Sequence, residues 1–124
     1  EDFLTVIQQD ASDAESHSGL GYVRALQGER DTAQIEATSA TLLGATRYKV
    51  VHNVACIYGE LAERSVIDQE RRQHEDQALT FLRRAIALYQ LKPGTIDEFE
   101  QIRIEPAFHD SFRARPEFQQ LLKQ

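Results

Sequence analysis

Two short segments of the chain repeat the same placement of small residues at a fixed distance, and that recurrence narrows the available folds more than any other feature. Gly21 in Gly19-Leu20-Gly21-Tyr22-Val23 aligns with Ala55 in Asn53-Val54-Ala55-Cys56-Ile57, a step of 34 residues. A period of this length belongs to stacks of helical pairs, where each unit buries its apolar face only against its neighbours. Each segment reads as a helix whose small residue lets a second helix come close. The partner helices carry Ala33, Ala37 and Ala40 in the first unit and Ala78, Leu82 and Ala85 in the second. Both triplets fall at i, i+4 and i+7, one stripe of a 3.6-residue helix.

Punctuation along the chain supports two units and a closing element. Gly28 ends the first helix by taking up positive φ at low cost, and Glu29-Arg30-Asp31 makes the tight turn. The second unit is about 11 residues longer, and the extra residues, near 63 to 73, are charged or polar without Gly or Pro. Such a stretch predicts longer helices rather than an irregular loop, at about 1.5 Å of rise per residue. In the second partner helix Ala78, Leu82, Ala85, Ile86 and Tyr89 share one face, with Glu75, Asp76, Arg83 and Arg84 largely off it. Lys92-Pro93-Gly94 stops that helix, and Thr95-Ile96-Asp97-Glu98 reads as a capping box, as Ser12-Asp13-Ala14-Glu15 does earlier. Pro116 suits the first position of a last short helix holding Phe118, Leu121 and Leu122. Ile102, Ile104, Phe108, Phe112 and Phe118 are too apolar for a solvated tail and predict a cap over the open end of the stack. The expected organisation is one helical domain: 1–13 the remnant of a preceding repeat, suggested by Phe3, Leu4 and Ile7, then repeats at 14–46 and 47–91, and a cap at 92–124. The chain has no Met and begins with Glu1, which points to a piece of a larger protein.

Charge and cysteine usage exclude several classes of function. Fourteen Lys and Arg against twenty Asp and Glu give a net charge of −6, unsuited to phosphate-backbone binding, so no nucleic-acid partner is expected. Arg71-Arg72 and Arg83-Arg84 read as solvated helix surface. A single cysteine, Cys56, rules out an internal disulfide and any zinc framework built from several cysteines, and fits a reducing, cytoplasmic compartment. No apolar run approaches the roughly 18 residues of a membrane span, so no membrane association is expected.

Leu20-Gly21-Tyr22-Val23, with Gly28, Ala33, Ala37 and Ala40, resembles a tetratricopeptide repeat (TPR), and His52-Asn53-Val54-Ala55-Cys56-Ile57-Tyr58 resembles the first helix of the next. From His52 to Leu122 the chain is similar to the repeat regions that follow kinase domains in large bacterial serine/threonine protein kinases. There an Asn-x-Ala-Cys-x-Tyr helix precedes an Ala-Leu-x-x-Leu-Arg-Arg-Ala helix. The closing element of that subgroup is matched by Glu105-Pro106 and by Arg113-Ala114-Arg115-Pro116-Glu117-Phe118-Gln119-Gln120-Leu121-Leu122. The resemblance implies an all-α fold of antiparallel helical hairpins, a TPR-like superhelical stack with a short C-terminal helical cap. It also implies a protein or peptide partner in a groove lined by first helices, faced by Glu15, Ser18, Tyr22, Lys49, His52, Cys56 and Glu60. Tyr22 and Cys56 stand where the family's carboxylate clamp needs Lys and Asn, so binding of chaperone tails is not implied. Gly-rich loop, His-Arg-Asp and Asp-Phe-Gly are all absent from the sequence, so it contains no kinase motif.

One row of residues could carry chemistry. His52, Cys56 and Glu60 at i, i+4 and i+8 share a helix face. Metal binding would need further ligands, and His17, His74 and His109 do not point to convergence; a small, packed cysteine is the plainer expectation. Cys56 falls mid-helix, away from the helix N-termini and cations that favour a thiolate, which argues against a nucleophile with His52 as base. The sequence therefore predicts no enzyme, no catalytic residue, no metal and no cofactor. It predicts an interaction module of a larger protein, with self-association or packing against the parent's other domains as the alternative.

Overall fold

The computed structural model describes residues 13–123. Every regular element among them is a helix: α1 (Ala14–Leu26), α2 (Arg30–Gly44), α3 (Tyr48–Glu63), α4 (Asp68–Leu91), α5 (Glu98–Ile104), α6 (Asp110–Arg113) and α7 (Pro116–Leu121). The expected remnant helix around Phe3, Leu4 and Ile7 lies outside the described residues, as does Ser12. Helix α1 packs on α2 and on α3, and α3 packs on α4.

Small residues set these distances. A Cβ on Gly21 would stand 2.6 Å from Ile57 Cδ1 on α3 and 3.1 Å from Glu36 Cβ on α2, so three helices meet at that glycine. The stripe Ala33, Ala37 and Ala40 is fully buried beneath α1. Ala55, one period after Gly21, is likewise buried, on the face of α3 turned to α4. Helix α3 has apolar residues on both sides and buries most of its length: Val50, Val54, Ile57 and Leu61 face the α1–α2 core, while Ala55 and Cys56 face Leu79, Leu82 and Ile86. Partly buried Tyr22, Tyr58 and Phe81 touch both clusters and join them.

The charged stretch near 63–73 forms the end of α3, a short loop at 64–67 and the start of α4, which has 24 residues against 15 in α2, so part of the stretch expected to be helical is loop. Several local expectations shift. Gly28 has φ +78°, but α2 begins at Arg30, so the turn is shorter than Glu29-Arg30-Asp31. Asp13 caps α1, its carboxylate accepting from Ser16 N at 3.0 Å and from the Ser16 hydroxyl at 2.6 Å. Asp97, not Thr95, caps α5, accepting from the backbone N–H groups of Phe99 and Glu100. Arg71 is half-buried rather than solvated, since its guanidinium donates to the Ser65 carbonyl.

Helices α5 to α7 are too short to hold themselves in water. Tertiary contacts hold them. Phe108, Phe112 and Phe118 form an edge-to-face triad with centroids 4.9–5.9 Å apart, each burial contributing about 1.5–3 kcal/mol. Arg113 lies over Phe118 and Phe108 and donates to the carbonyls of Ile102, Glu105 and Phe108. Ile104 departs from the expected cap: it is 60% exposed, because α5 turns that side outward. Glu75 departs in the opposite sense, being buried where an exposed side chain was expected. Burial of a carboxylate is tolerable only with partners, and the cap supplies them: Arg115 Nη1 at 3.1 Å and the Ser111 hydroxyl at 2.9 Å.

Candidate functional site

Where α3 meets the cap, polar side chains are buried in an otherwise apolar core. His52 projects from the second turn of α3 and is 6% exposed. Its Nδ1 lies 2.6 Å from Glu98 Oε2 and its Nε2 lies 2.7 Å from Glu105 Oε1. Local structure aims both acids. The Asp97 cap starts α5 so that Glu98, its first residue, turns inward, where it is 1% exposed. Glu105 sits in the turn after α5, whose carbonyls Arg113 grips, and its other oxygen accepts from Ala107 N at 3.4 Å.

Burial works against a charged His52 ring, yet its contacts with Cys56, Glu105 and Glu98 outweigh it and raise the imidazole well above its usual range. Glu105 answers in kind: burial would raise its carboxyl, while the hydrogen bond and charge of His52 pull it below the ordinary value. His52 thus meets an acid through each ring nitrogen and ties α3 to the segment from α5 onward.

One helical turn on, Cys56 is 5% exposed, and burial above all pushes its thiol up to about 12. A thiol so held is a poor nucleophile at neutral pH. One ring nitrogen of His52, Cys56 Sγ and a Glu105 carboxylate oxygen lie within 4.8 Å of one another. The sequence row had offered Glu60 as the third member. Glu60 is instead engaged elsewhere, accepting from the Tyr22 hydroxyl at 3.4 Å and facing His109 Nε2 at 3.1 Å. Tyr22 is pushed up to about 12, first by burial and then by the Glu60 charge.

Two cavities open beside this network and share Asn53. One, of about 220 Å³, is walled by Ser18, Gly19, Tyr22, Asn53, Cys56 and Glu105. The other, of about 330 Å³, is walled by Glu15, Lys49, His52, Asn53, Ile96, Glu98 and Gln101. Six of the seven groove residues named from the sequence therefore line these walls, and Glu60 lies behind Tyr22. Ser18 is buried and donates to the Glu15 carbonyl, Asn53 donates to Ser18 Oγ at 3.4 Å, and Glu15 is paired with Arg47 at 2.7 Å. Larger clefts of about 420, 440 and 480 Å³ open elsewhere, lined mostly by exposed residues away from the buried polar network, so volume alone does not select the site.

Sequence reasoning did not single out Glu98, Glu105, Asn53 or His109 for this region. Glu98 reads as part of a helix start and Glu105 as part of an acid-Pro turn; neither signal distinguishes a solvated acid from one facing a histidine 46 or 53 positions away. No protein-family model, curated protein or solved structure matches the chain. No helix among the described residues is long and apolar enough to cross a membrane.

Proposed function

We propose that this chain is a TPR-like interaction module of a larger cytoplasmic protein, such as the C-terminal region of a bacterial serine/threonine kinase, and that the face shared by α1 and α3 receives a protein or peptide segment. The observation that carries this reading is the pair of adjoining cavities around Asn53. Their walls present exposed Lys49 and Glu15, a phenol and an amide, a mixed set suited to the backbone and side chains of a peptide. The recurrence of Gly21 and Ala55 at a 34-residue step, each at a crowded helix contact, supports the TPR-like part. The site contains no activated nucleophile: the one thiol is buried and held protonated. No catalytic residue is assigned.

The test compares partners recovered with the parent protein and with its Tyr22→Ala and Asn53→Ala variants, quantified against total protein. Loss of a reproducible partner in both variants supports the groove, while an unchanged set counts against it. A second reading has its own observation. Ile35, Leu42 and Leu43 on α2 are 64%, 78% and 42% exposed, an apolar strip suited to self-association or to packing on the parent. Sedimentation over a concentration series separates the two: a mass that rises with concentration, and ceases to rise in Leu42→Lys, favours the strip.

A further inference from the structure

The buried cluster beneath the groove has the composition and spacing of a cation site. We propose that His52 Nε2, Cys56 Sγ and the Glu105 carboxylate bind a zinc-like divalent cation, with Glu98 holding the His52 ring from behind and a fourth position open to the adjoining cavity.

Four observations converge on this point. The three donor atoms lie within 4.8 Å of one another, within side-chain adjustment of the separations, about 3.3–3.6 Å, that bonds of about 2.0–2.3 Å set around one tetrahedral ion. His52 and Cys56 are one turn apart on α3, so the helix itself aims both at a common point. Glu98 contacts Nδ1 at 2.6 Å, the carboxylate–histidine arrangement that sets the ring's tautomer and orientation behind a metal. The cavity of about 220 Å³ ends on Cys56 and Glu105, which leaves room for a water or a partner group to complete the shell. Imidazole, thiolate and carboxylate together suit zinc or cobalt and exclude calcium and magnesium, which take oxygen ligands.

The charge balance is conserved as the ion enters. Glu98 and Glu105 are two buried or half-buried acids facing a single histidine, and Glu60 and Tyr22 complete the neighbourhood. Coordination needs bare lone pairs on Nε2 and Sγ, so protons held there leave to solvent as the cation enters. The dication replaces the two protons, one from His52 and one from Cys56, and so faces the thiolate together with both carboxylates at no change in the cluster's net charge. The Glu105 carboxylate must withdraw from its 2.7 Å contact with Nε2 to admit the ion, by rotation of the side chain while Arg113 holds the backbone of the turn.

The experiment titrates cobalt chloride, and zinc chloride against a chromophoric chelator, into the metal-stripped chain near neutral pH. The expected result is one saturable cobalt site with thiolate-to-metal charge-transfer absorption in the near ultraviolet, displaced by zinc. Cys56→Ser abolishes that absorption, Glu105→Gln weakens binding, and Glu98→Gln, which keeps all three ligands, weakens it by about 10- to 100-fold. Circular dichroism reports whether each variant folds. If Cys56→Ser does not fold, the partly buried Glu105→Gln decides the question. Absence of a saturable thiolate band, or zinc affinity unchanged in Glu105→Gln, overturns the site. Unchanged affinity in Glu98→Gln overturns the role given to that carboxylate.

Discussion

Replacing Gly59 by alanine tests the contact that seats the cap on α3. A Cβ there would lie 2.6 Å from the Ala107 carbonyl oxygen, closer than such atoms approach in folded proteins, and a tight 3.0 Å from the Phe108 ring. The oxygen belongs to backbone in the turn that Arg113 pins, so no side-chain rotation relieves the clash. Overpacking of this kind costs about 1–3 kcal/mol. Helix propensity works the other way, since alanine in a helix interior is better than glycine by about 1 kcal/mol. Gly19 provides the control. It is helical and exposed, and its added Cβ meets nothing within 4 Å, so Gly19→Ala shows the propensity gain alone. Urea unfolding followed by circular dichroism then places Gly59→Ala below Gly19→Ala by about 1–3 kcal/mol, the size of the clash. Equal stability of the two variants would refute the close seating of α3 against the cap, and with it the placing of Glu105 beside His52.

Two further outcomes follow from the buried and half-buried groups. In the presence of a chelator, Cys56 reacts slowly with a thiol reagent near neutral pH while the protein is folded and rapidly once urea unfolds it, because burial holds the thiol's pKa up to about 12; fast labelling of the native state would contradict this. Burial also raises the phenols of Tyr22, Tyr58 and Tyr89. Above the ordinary tyrosine value the unfolded chain loses protons that the folded chain keeps, so stability is fully present below about pH 10 and falls as pH rises towards 12. Urea midpoints that hold steady across that interval in metal-stripped protein would refute the shift.

Helix identity was readable along most of the chain for a local reason. The spacing of Ala78, Leu82, Ala85 and Ile86 is fixed by 3.6 residues per turn, and all four are buried in α4. Gly28 and Pro116 act through their own backbone restrictions, and both stand where those restrictions predict. Charged residues were less legible. Glu75 belongs by pattern to the polar side of α4, yet Arg115, 40 positions later, makes its burial tolerable. His52 and Cys56 could be placed on one face from their spacing, but the third member of their cluster could not. Glu60 continues the row along the helix, and the structure puts Glu105 there instead.

From the sequence alone come the helices, their small-residue faces and the apolar cap, because those depend on periodicity and on backbone limits that each residue carries with it. Tertiary structure alone decided which acids face His52 and where the cavities open. A carboxylate has no periodic signature, and whether it is solvated or paired depends on what a distant segment brings against it.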